Sequence, residues 1–180
     1  GSYPTQENID ILEEHGVRTF VDLTFSNESK ITPYKTKYLY ISFPIHDNLI
    51  PNDDSLFIKL IHRLCYIILN TSPEHKIYIH CKGGHGRSGI IVSCLVCILM
   101  NMNSYEAINY TSKCHNNRKN MRLKWRGIGS PQTKQQKMFV HRICSDLEIN
   151  DSNPLSCNSP REIIINNHKI TSINEVIKHV

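Results

Sequence analysis

No stretch of this 180-residue chain is apolar for long enough to cross a lipid bilayer. The longest run, Ile90 to Met100, is interrupted by Ser93 and falls well short of the roughly 20 residues that a span needs. It reads as a central core helix instead. No basic-then-apolar leader opens the chain, which reads as cytoplasmic. The cysteines (Cys65, Cys81, Cys94, Cys97, Cys114, Cys144 and Cys157) are odd in number, and several lie inside apolar helical patterns. That argues against a disulfide framework and for reduced thiols. Cys94 and Cys97 lack a second cysteine or histidine pair at metal-ligand spacing, so they read as packing residues and neither a metal nor a cofactor is expected. Acidic residues are missing from Ala107 to Ser145, a segment that carries Lys113, Arg118, Lys119, Arg122, Lys124, Arg126, Lys134, Lys137 and Arg142. With a net charge of +5, the 113–142 region is either a field suited to anionic partners or a solvated basic face. At 39% hydrophobic and 21% charged, the composition is that of a globular chain with one core of ordinary size.

The chain is organised around Ile77 to Val92. Ile77-Tyr78-Ile79-His80 reads as a buried strand, Cys81 to Gly86 as a glycine-dense loop, and the apolar run after Arg87 as a helix whose first turn faces that loop. Successive backbone N–H groups in such a loop can point inward, and the helix dipole adds positive charge at the same place, so the loop is an anion cradle. A thiol at its start sits near several donors and a guanidinium, surroundings that stabilise a thiolate. Cys81 is therefore a candidate nucleophile. The nucleotide-binding pattern G-x-x-x-x-G-K-[ST] is not met, because no Lys-Ser/Thr pair follows the glycines.

Cys81, five intervening residues, Arg87 and Ser88 resemble the Cys-x5-Arg-Ser/Thr signature of the cysteine-based protein tyrosine phosphatase superfamily, and the compact loop resembles its dual-specificity branch. The likeness extends over roughly residues 2–147, taking in a Tyr-Pro opening, a short helix and the Asp22-Leu23-Thr24 segment. It implies an α/β fold with a central, mostly parallel sheet flanked by helices. It also implies hydrolysis of phosphotyrosine and phosphoserine/threonine in proteins through a cysteinyl-phosphate. In that scheme Cys81 attacks phosphorus, Arg87 grips the oxyanion, and Ser88 stabilises the departing thiolate. The loop residues Lys82, Gly83, Gly84, His85 and Gly86 bind phosphate, and His80 orients the loop. Phe43-Pro44-Ile45-His46-Asp47 resembles the family's mobile acid loop, which makes Asp47 the general-acid candidate. Asp53 and Asp54 are its rivals, although both precede the apolar pattern of a helix, where N-terminal carboxylates are expected. Pro131-x-Thr133-x-x-Gln136 resembles the stretch that places polar groups beside the catalytic loop. Gln136 is thus a candidate for positioning the hydrolytic water, or a solvent-facing glutamine. Lys82 and His85 add positive charge to the loop, as in phosphoinositide phosphatases, and RNA 5′-triphosphatases share the chemistry. Phosphoinositides and RNA are therefore the alternative partners of the basic region, and a pseudophosphatase that only binds phosphate is a third reading.

The remaining elements follow from local pattern. Helices are predicted over 7–17, 55–69 and 87–101, then from Ser104, a plausible cap, and from a segment with Pro131 in its first turn. Strands are predicted over 18–24, 38–43 and up to Cys81. Residues 25–37 read as a polar surface loop, and 116–129 as a basic loop in which Trp125 either stacks on a partner or anchors in the core. A phosphatase domain over 1–150 is followed by a tail, 151–180, with linker composition to Glu162, a small hairpin around Asn166-Asn167 and a capping box at Ser172-x-x-Glu175. This tail is either the start of a further domain or a strap on the core.

Overall fold

A strand flanked by a partner on each edge is buried nearly throughout, and Val17–Asp22 (β1) is buried at every position but Arg18, its polar Thr19 and Asp22 included. The computed structural model, which describes residues 1–119, 121–151, 164–165 and 168–169, places β1 between Leu39–Ser42 (β2) and Lys76–His80 (β3). Both pairings are parallel. The register sets Val21 opposite Ile41 and Ile79, and Asp22 opposite Ser42 and His80, so all three strands end level. The segments that follow them are laced together: Leu23 N–H donates to His80 O at 3.0 Å, Phe43 N–H to Asp22 O at 2.9 Å and Ile45 N–H to Leu23 O at 3.1 Å. Residues 23–28, 43–47 and 81–87 thus converge at the carboxyl ends of a parallel sheet, where open α/β sheets form their binding crevices.

The helices bury what the sheet exposes. Gln6–Glu14 (α1) packs on β1, with Ile9 at its centre. Asp54–Asn70 (α2) is capped by Asp53, whose carboxylate accepts the Leu56 N–H at 2.9 Å, and it turns Phe57, Leu60, Ile61 and Leu64 inward at helical spacing. Arg87–Leu99 (α3) is apolar on all sides because β3, α2, Ser104–Asn116 (α4) and Lys134–Asp151 (α6) all pack against it. Cys94 and Cys97 are buried there in the main core, and no disulfide joins the cysteines among the described residues.

Four expectations need correction. Asn103, not Ser104, caps α4: its side chain accepts the Tyr105 and Glu106 N–H groups, while Glu106 accepts the Asn103 N–H, a reciprocal pair that serine one residue later cannot form. Pro131 precedes the last helix by three residues, because the Thr133 hydroxyl takes the Gln136 N–H at 3.2 Å and sets the start there. The 116–129 loop contains a helical turn, Leu123–Arg126 (α5). At the other end of α6, Asp151 still belongs to the helix and not to a linker. Ile164–Ile165 (β4) and His168–Lys169 (β5) pair antiparallel, whereas residues 152–163 and the capping box at Ser172 lie outside the described residues. Among the described residues, no helix is long and apolar enough to cross a membrane.

Candidate active site

The turn from β3 into α3 must bring the chain back on itself within six residues, and Gly84 does so at φ +72°, a conformation that a side chain would strain. The Gly84 N–H then donates to Cys81 Sγ at 3.3 Å, and Ser88 Oγ lies 3.7 Å from the same sulfur. Cys81 is 3% exposed. Burial alone would push its thiol up, but the Ser88 N–H, the Arg87 guanidinium and the Ser88 hydroxyl outweigh it, so the pKa moves down and the thiolate is favoured. The sulfur thus lies against the first turn of α3.

Arg87 is 1% exposed, and its guanidinium is held on most sides. Nη1 donates to Ile45 O at 3.0 Å, to Leu23 O at 3.3 Å and to Glu28 Oε1, while Nη2 donates to Glu28 Oε2 at 3.1 Å and to Asp47 Oδ1 at 2.9 Å. Its Nε is buried without a hydrogen-bond partner. The segments after β1 and β2 thus supply the carbonyls and carboxylates that lock the guanidinium plane. On the remaining edge, beside the unpartnered Nε, Nη2 meets the exposed Asp47.

Glu28 is a functional residue that the sequence reading missed. Residues 25–37 read as a polar surface loop, yet Glu28 is only 14% exposed on its side chain and forms a two-pronged pair with Arg87. Burial raises its pKa, but the Arg87 hydrogen bond, the Phe25 N–H and the charges of Arg87 and Lys82 together bring it below the ordinary glutamate value. Tyr34 of the same segment bonds His80: the Tyr34 hydroxyl lies 2.7 Å from His80 Nε2. His80 is fully buried at the sheet end with Nδ1 3.8 Å from Asp22 Oδ1, and burial depresses its pKa more than Asp22 raises it. It therefore braces the strand end as a neutral group.

Of the acid candidates, only Asp47 reaches the site. It is 58% exposed on its side chain and touches Arg87, whereas Asp53 caps α2 and Asp54 pairs with Arg142 of α6. Gln136 is buried, which removes the solvent-facing alternative. Its Oε1 accepts from the Gln132 and Thr133 N–H groups at 3.1 Å, and its Nε2 donates to Leu49 O at 3.1 Å. A Cβ on Gly86 would come within 2.7 Å of that amide, so the glutamine lies directly against the loop.

Lys82 and His85 diverge to opposite flanks. The Lys82 ammonium donates to Ser29 Oγ at 3.2 Å, whereas His85 turns toward α4. His85 Nδ1 accepts from Arg118 Nη2 at 3.1 Å and lies 2.8 Å from His115 Nε2, and its ring stacks on Trp125 with centroids 4.8 Å apart. An arginine can only donate, so Nδ1 carries no proton. Burial, then the charge of Arg118, then His115 lower the pKa of His85 to about 4. The expectation that His85 adds positive charge to the loop is therefore corrected: it is neutral at pH 7. Because its folded-state pKa lies below the ordinary value of 6.5, the unfolded chain binds the proton more readily. Stability is thus present above pH 6.5 and is lost as pH falls toward 4. His85→Asn, which keeps an acceptor for Arg118 but cannot titrate, should show a shallower fall of melting temperature over that window. Parallel curves for the two proteins would refute this linkage.

Among the described residues, no group of three or more His, Cys, Asp or Glu side chains is gathered as a metal would require. Comparison with known proteins agrees with this architecture. Residues 1–140 match the family model described as "Swiss Army Knife protein, DSP-PTPase phosphatase domain". Protein 197R of Invertebrate iridescent virus 6, whose name marks it as a candidate tyrosine phosphatase, is 41% identical over 167 residues, covering 92% of this chain and 57% of the relative. The Arabidopsis thaliana phosphatidylglycerophosphate phosphatase PTPMT1 is 32% identical over 117 residues, or 61% of this chain and 33% of that protein. The chain thus spans little more than half the length of 197R. Among solved structures, the active form of Tk-PTP superposes with a TM-score of 0.62 at 19% identity, covering 81% of this chain and 89% of that one. PTPMT1 in complex with PI(5)P superposes with a TM-score of 0.64 at 16% identity, covering 84% and 92%. With its sheet-end crevice, loop and family match taken together, this chain belongs to the DSP-PTPase family of phosphatase domains, the dual-specificity branch of the cysteine-based tyrosine phosphatases.

Proposed function

We propose that residues 1–150 form a phosphatase domain that hydrolyses phosphotyrosine and phosphoserine/threonine in proteins through a cysteinyl-phosphate at Cys81. The observation that carries this reading is the buried, stabilised sulfur beside a guanidinium whose Nε has no hydrogen-bond partner and whose Nη2 meets the exposed Asp47. A phosphate entering the loop takes the N–H groups from Lys82 to Gly86, Arg87 Nε and the Nη2 proton that now contacts Asp47. Glu28 keeps the opposite edge of the guanidinium in plane, so the donors are aimed before substrate arrives. The Cys81 sulfur forms the bond to phosphorus as the ester oxygen leaves with a proton from Asp47. Water then attacks the phosphocysteine, Asp47 takes the water proton, and sulfur departs as thiolate toward the Ser88 hydroxyl and the Gly84 N–H. Gln136 packs against Gly86 and is held there by the Gln132 and Thr133 N–H groups and by Leu49 O, so it supports the loop from behind while water attacks.

Asp47→Ala should lower the turnover of poor leaving groups such as phenyl phosphate by about 10²–10⁴-fold, and that of p-nitrophenyl phosphate far less, because a stable phenolate needs no proton to leave. Equal losses on both esters would remove Asp47 from the acid role. A second substrate reading has one specific support: the PTPMT1 relative is named as a phosphatidylglycerophosphate phosphatase. Phosphate release from phosphotyrosyl and phosphoseryl peptides, phosphoinositides, phosphatidylglycerophosphate and 5′-triphosphorylated RNA, with vanadate as inhibitor, ranks the substrates. Release from the peptides at rates below those of the lipids would overturn the protein-phosphatase assignment.

A further inference from the structure

The rim of the catalytic loop is fastened to the segment between α4 and α6. Trp125 lies flat on His85 at an interplanar angle of 21°, and Arg118 holds the same ring from its side. α5 is thus carried next to the phosphate crevice. Its outward side has an unusual make-up. Leu123 is 82% exposed, and the side chains around it in sequence, Arg122, Lys124 and Arg126, are exposed as well, as is Lys119. No acidic residue occurs between Glu106 and Asp146 to neutralise them along the chain. An aliphatic tip among cations is the pattern of an interfacial segment, in which the apolar side chain enters the boundary between headgroups and acyl chains while the cations meet lipid phosphates.

We propose that the Arg122–Arg126 turn docks this domain on an anionic lipid bilayer, with Leu123 inserted and Lys119, Arg122, Lys124 and Arg126 on the headgroups. Charge complementarity admits RNA as well as lipid, but the apolar part separates them. Single-stranded nucleic acid gains from an open aromatic face on which bases stack. Trp125 offers none: His85 covers one side of the ring, and the Lys124 ammonium sits 5.0 Å from its centroid. What is left free is Leu123, which has no use for a base and gains by leaving water for the acyl region. Since Trp125 ties this turn to His85 of the catalytic loop, docking by Leu123 brings the crevice to the membrane surface.

Docking of this turn is read by binding, independently of turnover. Sedimentation of the protein with sucrose-loaded vesicles should show partition onto phosphatidylcholine vesicles containing phosphatidylglycerol, none onto phosphatidylcholine alone, and release by salt. Leu123→Ser leaves every charge in place and, at so exposed a position, leaves the fold intact. It should weaken partition by about tenfold or more, in line with one leucine withheld from the acyl boundary, while p-nitrophenyl phosphate hydrolysis in solution stays unchanged. Arg122→Gln with Lys124→Gln should reduce partition further and flatten its salt dependence. Failure to bind the anionic vesicles, or equal binding by Leu123→Ser, would overturn the proposal. So would retention of single-stranded RNA by a protein that ignores vesicles, an outcome that assigns the turn to nucleic acid.

Discussion

Cys81→Ser should abolish phosphate release from p-nitrophenyl phosphate, with a loss of at least about 10⁴-fold, the scale on which removal of a nucleophile acts when the rest of its site remains. The reason lies in what the loop can ionise. The Gly84 N–H, the Ser88 hydroxyl and the Arg87 charge suffice to hold a thiolate against burial, but a serine hydroxyl is a far weaker acid and stays protonated in the same cradle. The substitution keeps shape and volume nearly the same at a buried position, and the Gly84 N–H can donate to the serine oxygen as it does to sulfur, with the Ser88 hydroxyl beside it. The melting temperature should therefore move little and inorganic phosphate should still bind, which calorimetry would read. Residual turnover within tenfold of the unaltered protein would remove Cys81 as nucleophile, and with it the two-step chemistry.

Arg87→Ala should strike activity and stability together, and a second substitution should separate them. Loss of one well-aimed donor to a developing oxyanion costs about 10²–10³-fold in turnover, and Arg87 brings its Nε and an Nη2 proton to the crevice at once. Its removal also leaves the Glu28 carboxylate, 14% exposed, without its cation. Breaking a buried pair from one side costs about 3–5 kcal/mol, which for a domain of this size lowers the melting temperature by roughly 6–20 °C. Arg87→Ala with Glu28→Ala should recover part of that loss because no charge is stranded, yet recover none of the activity. If the double variant melts no higher than the single one, Glu28 is not the buried partner that its two hydrogen bonds indicate. Glu28→Gln alone should slow turnover and lower the melting temperature as well, since an amide oxygen can accept from only one of the two Nη groups and brings no charge to the buried guanidinium.

Much of this protein is local and could be read from the chain. The level ends of the strands follow from apolar runs cut off by Pro44 and by the glycine-dense loop, and α2 and α3 follow from the spacing of their apolar residues. Where the reading failed locally, two capping residues stood side by side: Asn103 and Ser104 are both good caps, and only the Glu106 carboxylate reaching back to the Asn103 N–H decides between them. Glu28 was not legible because nothing near it marks its partner. Arg87 stands 59 positions away, and a lone glutamate in a polar loop looks the same whether it faces water or a buried guanidinium. The charge of His85 was misread for a related reason. A histidine in a basic loop suggests a cation, but its state is set by burial and by Arg118, which closes on it from 33 positions away.

By itself the sequence determined the strand, loop and helix that hold Cys81, Ser88 and the Gly84 N–H, since those contacts lie within eight residues of one another. Only the tertiary structure decided which acids meet Arg87, that His85 is neutral and that Leu123 is left exposed. The physical reason is that backbone preference and periodicity act over a turn or two, whereas ionisation and exposure depend on whatever segments the parallel sheet brings level at its end.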